Sequence, residues 1–220
     1  MANNQYRPVP LTVLQRPTEE LAYQLLNLVL VHESPEGLTA GRIVECEMYR
    51  GPGDKGAHSF TGVPTSRTQV MFGPAGHAYV YLIYGMYWCL NVVTEAAGLP
   101  HAILIRALQP LEGLELMASR HKPRKNPDSP LKLASGPGKL CRAMGIDRRH
   151  YGAPLWEPPF YLAEAPGVWP AYRVARGPRV NIDYAEEARD FPWRFWVDGH
   201  PSVSYRKGPV TTLEAVAVHS

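Results

Sequence analysis

Glu47 and Tyr49 flank Met48 in the run Ile43–Tyr49, and alternation along a strand points both side chains the same way. Just downstream, a polar stretch carries His58. A carboxylate beside a pocket can activate water, whereas a phenol and an imidazole stack on and hydrogen-bond a planar ligand. Taken singly, each is ordinary, because a strand glutamate is more often solvated and a lone histidine more often structural. Arg106 is more telling. It interrupts the apolar run Ala102–Leu108, and a guanidinium there requires an anion beside it because an unpaired buried charge is very costly. Glu47 is its natural partner. Asn91 is likewise polar among apolar neighbours, placed either to bond the sheet backbone or to act as a filter in a pocket.

The segment Tyr79-Val80-Tyr81-Leu82-Ile83-Tyr84-Gly85-Met86-Tyr87-Trp88 reads as a strand, a tight turn and a returning strand. Alternation puts Tyr79, Tyr81 and Ile83 on one face and Val80 and Leu82 on the other, and Gly85 supplies the turn. Tyr84 and Met86 are left at the apex, where they have little of their own domain to pack against. Apolar wedges of this kind unstack and deform a nucleic-acid duplex, although an ordinary core hairpin draws on the same strand formers. Gly138-Lys139 resembles part of a phosphate loop, but Leu140 replaces the hydroxyl residue and Leu133 the first glycine, which excludes a nucleoside-triphosphate site. Backbone amides and Lys139 at a helix start still suit a nucleic-acid phosphate.

These groups need a scaffold. Thr18 is placed to cap a helix carrying Leu21, Leu25 and Leu28, and the run Leu28–Val31 turns into a strand. Further strands are expected at Ile43–Tyr49, across the hairpin Ala78–Thr94, at His101–Leu108, and near Pro159–Glu164, Arg179–Ile182 and Arg194–Val197. Arg50–Thr68 reads as an irregular loop, Leu111–Arg120 as a helix begun after Pro110, and Ser135–Lys139 as the entry to a second short helix. A basic, proline-rich and mobile connection with Lys122, Arg124 and Lys125 lies between those helices. Mostly strands, with helices at the margins, imply an α+β fold: one domain over 1–220, built on a twisted, largely antiparallel sheet with a protruding β-hairpin.

Composition narrows the class. With 220 residues, 45% hydrophobic and 10% aromatic, the chain can bury a core. Met1–Gln5 open no basic-then-apolar leader and no apolar run is of spanning length, so a soluble, intracellular protein without a membrane partner is expected. Cys46, Cys89 and Cys141 match neither a disulfide framework nor a metal spacing, and no metal site is expected. Net charge is +3, yet Arg120–Arg149 carries nine Lys or Arg against two Asp, leaving −4 elsewhere. That asymmetry suits a polyanion, or equally a solvated basic loop.

Glu45–Pro52 with Asp54 and Ala57-His58-Ser59, then Tyr79–Met86 with Asn91, resemble the alkyladenine (3-methyladenine) DNA glycosylase family. The likeness continues through Arg106–Gly113, Ser135–Leu140, Arg179-Val180 and Pro192–Phe195, in order over nearly the whole chain. The resemblance implies a monofunctional, cofactor-free and monomeric enzyme. Such an enzyme flips damaged purines (3-methyladenine, 7-methylguanine, hypoxanthine or ethenoadenine) from double-stranded DNA and hydrolyses the glycosidic bond, starting base excision repair. It implies Glu47 as general base, assisted by Arg106 and the main chain around Ile182. Tyr49, His58 and Tyr81 would form the base pocket, Asn91 a filter against the guanine 2-amino group, and Tyr84 the intercalating residue. Met86, Tyr87, Lys139 and Arg142 would follow the DNA backbone. The cell compartment would be the cytoplasm, at the nucleoid, in a bacterium and the nucleus in a eukaryote. Asn181 and Asp183 depart from the family's small residues beside the water, which bears on substrate range and rate. Rival readings are a non-catalytic lesion-binding module and a hydrolase of free nucleosides.

Overall fold

The computed structural model describes residues 5–122, 129–167, 171–205 and 209–216, the final strand by its backbone. Arg124 and Lys125 lie outside the described residues. The chain runs through α1 (Leu11–Leu14), α2 (Thr18–Leu25), β1 (Val29–Ser34), β2 (Gly37–Arg50), β3 (Ala78–Ile83), β4 (Tyr87–Thr94), β5 (His101–Glu112) and α3 (Leu114–Ser119). It continues through α4 (Pro137–Met144), β6 (Phe160–Ala163), β7 (Tyr172–Gly177), β8 (Arg194–Val197) and β9 (Thr212–Val216). All nine strands join one sheet ordered β3-β4-β5-β2-β8-β7-β9, with β1 on β2 and β6 on β1, and every pairing is antiparallel. The fold is α+β, as the order of elements implies.

β2 organises the site. One edge pairs with β5 from Ala40 to Arg50, while the other pairs first with β1 and then, over Glu45–Glu47, with β8. Its burial is continuous from Thr39 to Met48, so both of its faces are covered there. Between β2 and β5 the register skips Val44 on one strand and Arg106 on the other. Such bulges re-aim side chains, and this one turns Arg106 toward the glutamates of β2. Below the sheet, Leu21, Leu25, Ile43, Ile103, Ile105, Leu140 and Phe195 form the core.

Tyr84 (φ 53°) and Gly85 (φ 66°), both left-handed, are the two central residues of the turn that the Met86 N–H closes on the Ile83 carbonyl at 3.1 Å. Three expected elements differ. Thr18 is the first helical residue rather than a cap; its N–H and hydroxyl donate to Glu95 Oε1 at 2.8 and 2.7 Å, so a distant carboxylate holds the helix start. Leu28 lies past that helix, which ends at Leu25. The helix expected at Leu111–Arg120 begins at Leu114 as α3, because β5 continues through Pro110 to Glu112. There only β2 pairs with it, so the missing proline N–H breaks no ladder on the far side. Arg179–Ile182 is not a strand: Asn181 sits at φ 61° and the Val180 N–H is committed to a side chain, so the strand is β7, just upstream.

The basic stretch is divided in use. Arg120 binds Glu36, Ser34 Oγ and the Ala143 carbonyl, and Arg149 pairs with Asp147, whereas Arg142 and Arg148 are exposed.

Candidate active site

Glu47 is fully buried at the middle of β2. Its Oε1 accepts the Val180 N–H at 2.7 Å; its Oε2 accepts the Tyr49 hydroxyl at 2.9 Å and Arg106 Nη1 at 3.2 Å. Glu47 and Tyr49 therefore share a face, and Arg106 is the partner the sequence requires. Glu45, two residues back on the same strand face, completes a buried network. It accepts Arg106 Nε at 3.1 Å, Arg194 Nε at 2.8 Å and the Ser204 N–H at 2.6 Å. Burial works to raise the Glu45 pKa, but Arg106 and Arg194 outweigh it and hold the carboxyl below its usual range. Burial likewise opposes the Arg106 charge, and Glu47 and Glu45 more than offset that. Two carboxylates against two guanidiniums leave the cluster near neutrality, which permits ions so deep in the protein.

The donors to Glu47 all line a cavity of about 250 Å³, while Glu47 itself stands just behind them. The inner end is set by burial: Asn91, Leu104, Arg106 and Tyr79 are each under a tenth exposed. Asn91 Nδ2 donates to the Tyr79 carbonyl at 3.1 Å and also faces the cavity, combining the two roles that its sequence context left open. Tyr49 and Tyr81 supply aromatic walls, and burial keeps both phenols protonated by raising their pKa values well above the ordinary range, Glu47 adding to the effect on Tyr49 and Cys89 on Tyr81. His58 meets Tyr81 edge-on at 4.5 Å between ring centres. Its Nδ1 lies 2.9 Å from the Tyr79 hydroxyl and its Nε2 accepts Arg67 Nη2 at 3.2 Å. Packing of the ring, with Arg67 adding to it, pushes the His58 pKa down to about 4, so the imidazole is neutral at physiological pH. Ile182 is buried and lines the cavity, but the main-chain group that reaches Glu47 belongs to Val180.

At the mouth stand Tyr84 (74% exposed) and Tyr184 (68%), with Tyr87 beside them. Met86, at the hairpin tip, is exposed but does not line the cavity. Gly138, at the start of α4, packs so closely on Tyr87 that a Cβ there would lie 2.8 Å from the ring. Arg142 of the same helix reaches to 6.0 Å from the Tyr87 ring centre, so hairpin and helix share one edge of the opening. Lys139 follows Gly138 on that helix and is half-buried. The sequence reading missed Val180, Glu45, Arg194, Arg67 and Tyr184. Only Glu45 carried a local signal, its even spacing from Glu47.

A fully buried carboxylate behind an aromatic pocket, with exposed tyrosines at the opening, is an arrangement for cleaving a bond in a flat ligand. The family model for methylpurine-DNA glycosylase matches residues 12–201. The chain belongs to that family. A Bacillus cereus (strain Q1) protein named "Putative 3-methyladenine DNA glycosylase" is 47% identical over 200 residues, covering 89% of this chain and 98% of the relative. Proteins of the same name from Bacillus thuringiensis (strain Al Hakam) and Bacillus anthracis (strain CDC 684 / NRRL 3495) are each 46% identical over the same share of both chains. By family the chain is a DNA glycosylase whose substrate is damaged DNA, and the resemblance drawn from the motifs was correct. Among the described residues no helix is long and apolar enough to cross a membrane.

Proposed function

We propose that residues 1–220 act as one monomeric glycosylase domain. It hydrolyses the N-glycosidic bond of 3-methyladenine, 7-methylguanine and the neutral lesions hypoxanthine and ethenoadenine in duplex DNA, leaving an intact abasic strand. The observation that carries this reading is the Glu47 carboxylate, fully buried and held by three donors that all line one aromatic pocket.

Tyr84 intercalates where the nucleotide leaves the stack, with Met86, Tyr87, Lys139 and Arg142 along the backbone. Extrusion costs a few kcal/mol, and stacking on aromatic rings returns about 1–3 kcal/mol per base. A pocket with two tyrosine walls and a tyrosine wedge can therefore balance flipping. Asn91, fixed by its bond to the Tyr79 carbonyl, stands at the inner end as a barrier to a guanine 2-amino group. Water held between Glu47 Oε1 and the main chain of Val180–Ile182 attacks C1′ and passes its proton to the carboxylate. The glycosidic bond breaks with its electron pair going to the base, so that an alkylpurine cation leaves neutral and a neutral lesion leaves as an anion that takes a proton from solvent, while the Glu47 charge stabilises the oxocarbenium-like sugar. Arg106 orients Glu47 through its contact with Oε2, and its Nε is taken up by Glu45. Among the described residues no lysine lines the pocket, which favours direct hydrolysis over a Schiff base.

The test is base release from duplexes carrying one 7-methylguanine or one hypoxanthine, comparing wild type with Glu47→Gln. Wild type should leave an alkali-labile site, and Glu47→Gln should retain lesion binding while losing on the order of 10²–10⁴ in rate. Tight binding without release by either protein would make the chain a damage-binding module instead.

A further inference from the structure

Both aromatic walls of the pocket are backed by guanidiniums, but the two are not equivalent. Arg179 lies 4.6 Å from the Tyr49 ring centre and is neutralised by Asp54, which it grips through both nitrogens at 2.6 and 2.7 Å. Arg67 lies 4.9 Å from the Tyr81 ring centre. It contacts His58 and Tyr79, and no acidic side chain pairs with it among the described residues. Neither arginine lines the base pocket. Arg67 instead lines a neighbouring groove with Leu82, Trp88 and Arg148, which Tyr81 also borders. One positive charge thus lies over the Tyr81 ring from outside the residues that line the pocket.

We propose that Arg67 is a specificity-determining residue that weakens the pocket's preference for positively charged bases and so brings neutral lesions into its range. The proposal rests on the function assigned above. An aromatic face attracts cations through the ring quadrupole. A cationic alkylpurine stacked on Tyr81 would place a second charge beside the same ring, and the two charges repel. A neutral base such as hypoxanthine meets no such repulsion. Arg67 also donates to His58 Nε2, which leaves the ring proton on Nδ1 for the Tyr79 oxygen and fixes the imidazole in one neutral tautomer. The charge influencing the base is therefore Arg67 itself, acting through Tyr81.

Arg67 is exposed, so its substitution leaves the core untouched. Single-turnover release is measured from two duplexes identical except for 7-methylguanine or hypoxanthine, using wild type, Arg67→Gln and Arg67→Lys. Arg67→Gln should raise the 7-methylguanine to hypoxanthine rate ratio about fivefold, equivalent to about 1 kcal/mol, and Arg67→Lys should keep the wild-type ratio. An unchanged ratio overturns the proposal. That includes equal loss on both duplexes with a shallower salt dependence, which would make Arg67 a phosphate contact only. Quenching of the protein's aromatic fluorescence by 7-methylguanosine and by inosine reads the same preference without bond cleavage. If wild type cleaves neither duplex, the functional reading falls, and an Arg67→Gln shift in the nucleoside ratio, or its absence, then decides the charge effect by itself.

Discussion

Replacing Arg179 by methionine removes the guanidinium of an ion pair whose side chains are 0% and 1% exposed. Arg179 binds both oxygens of Asp54 and also donates to the Met48 and Ala188 carbonyls, each at 3.1 Å. The variant leaves Asp54 with the backbone N–H groups of Arg50 and Gly56 and no counter-charge, and it takes one donor from each of the Met48 and Ala188 carbonyls. Truncating one partner of a buried pair typically costs about 3–5 kcal/mol. Arg179 Nε already lacks a partner, so the intact pair is imperfectly satisfied and the low end of that range is the better expectation. For a chain of this length each kcal/mol lowers Tm by about 2–4 °C, and a loss of about 3 kcal/mol means a fall of roughly 6–12 °C. Circular dichroism melts at fixed pH, with urea midpoints as a second probe, measure it. Asp54→Asn combined with Arg179→Met should be less damaging than the two single losses added together, because no charge is then left alone. A melt within about 2 °C of wild type would refute the claim that this pair joins the Arg50–Ala57 loop to the Val180 segment. The same variant should slow base release beyond its stability loss, since Tyr49 stacks on Arg179 and the adjacent Val180 N–H holds Glu47.

Gly138→Ala should push Tyr87 off α4, because the added Cβ would lie 2.8–3.0 Å from the ring and its Cβ. Lesion-duplex affinity should fall by about tenfold with the melt lowered by only a few degrees, and an unchanged Kd by fluorescence anisotropy would separate Tyr87 from DNA binding. Stability should also fall as pH drops below neutrality. The folded His58 pKa, about 4, lies below the unfolded value of 6.5, so only the unfolded chain takes up the proton between those values and stability is lost over that window. His32, His101 and His150 are lowered too, by burial first, and act in the same direction. Since His58 sits at an exposed rim, solvent screening trims its share. His58→Asn should flatten the slope of Tm against pH, and an unaltered slope would assign the effect to the other three.

The parts legible in the sequence were those whose signal is local. Alternation at Glu47 and Tyr49, the glycine of a two-residue turn, and a guanidinium stranded in an apolar strand each state a physical demand within a few residues. The structure meets these demands with a shared face, a left-handed turn and a buried carboxylate partner. Where a demand is met from far away, sequence is silent. The start of α2 is held by Glu95 of the opposite hairpin end, so Thr18 reads as a cap although its hydroxyl is occupied elsewhere. The second arginine on Glu45 arrives 149 residues downstream, and the third donor to Glu47 is a backbone N–H that no residue type reveals.

That last donor ties Asn181 to the buried carboxylate. A strand over Arg179–Ile182 would spend the Val180 N–H on a neighbouring strand. The left-handed Asn181 prevents this, bending the chain so that the donor faces Glu47 and the segment lines the pocket. Asparagine is among the few side chains that tolerate such a φ, so it does at 181 what glycine would do with less strain. Asp183 opens the following 3₁₀ turn, whose first hydrogen bond runs from Ala185 N–H to the Ile182 carbonyl, and that turn presents Tyr184 beside Tyr84 at the pocket mouth. Asn181 thus acts on the backbone, holding the bend from which the Val180 N–H reaches the carboxylate, and Asp183 begins the segment that carries a second exposed aromatic to the opening.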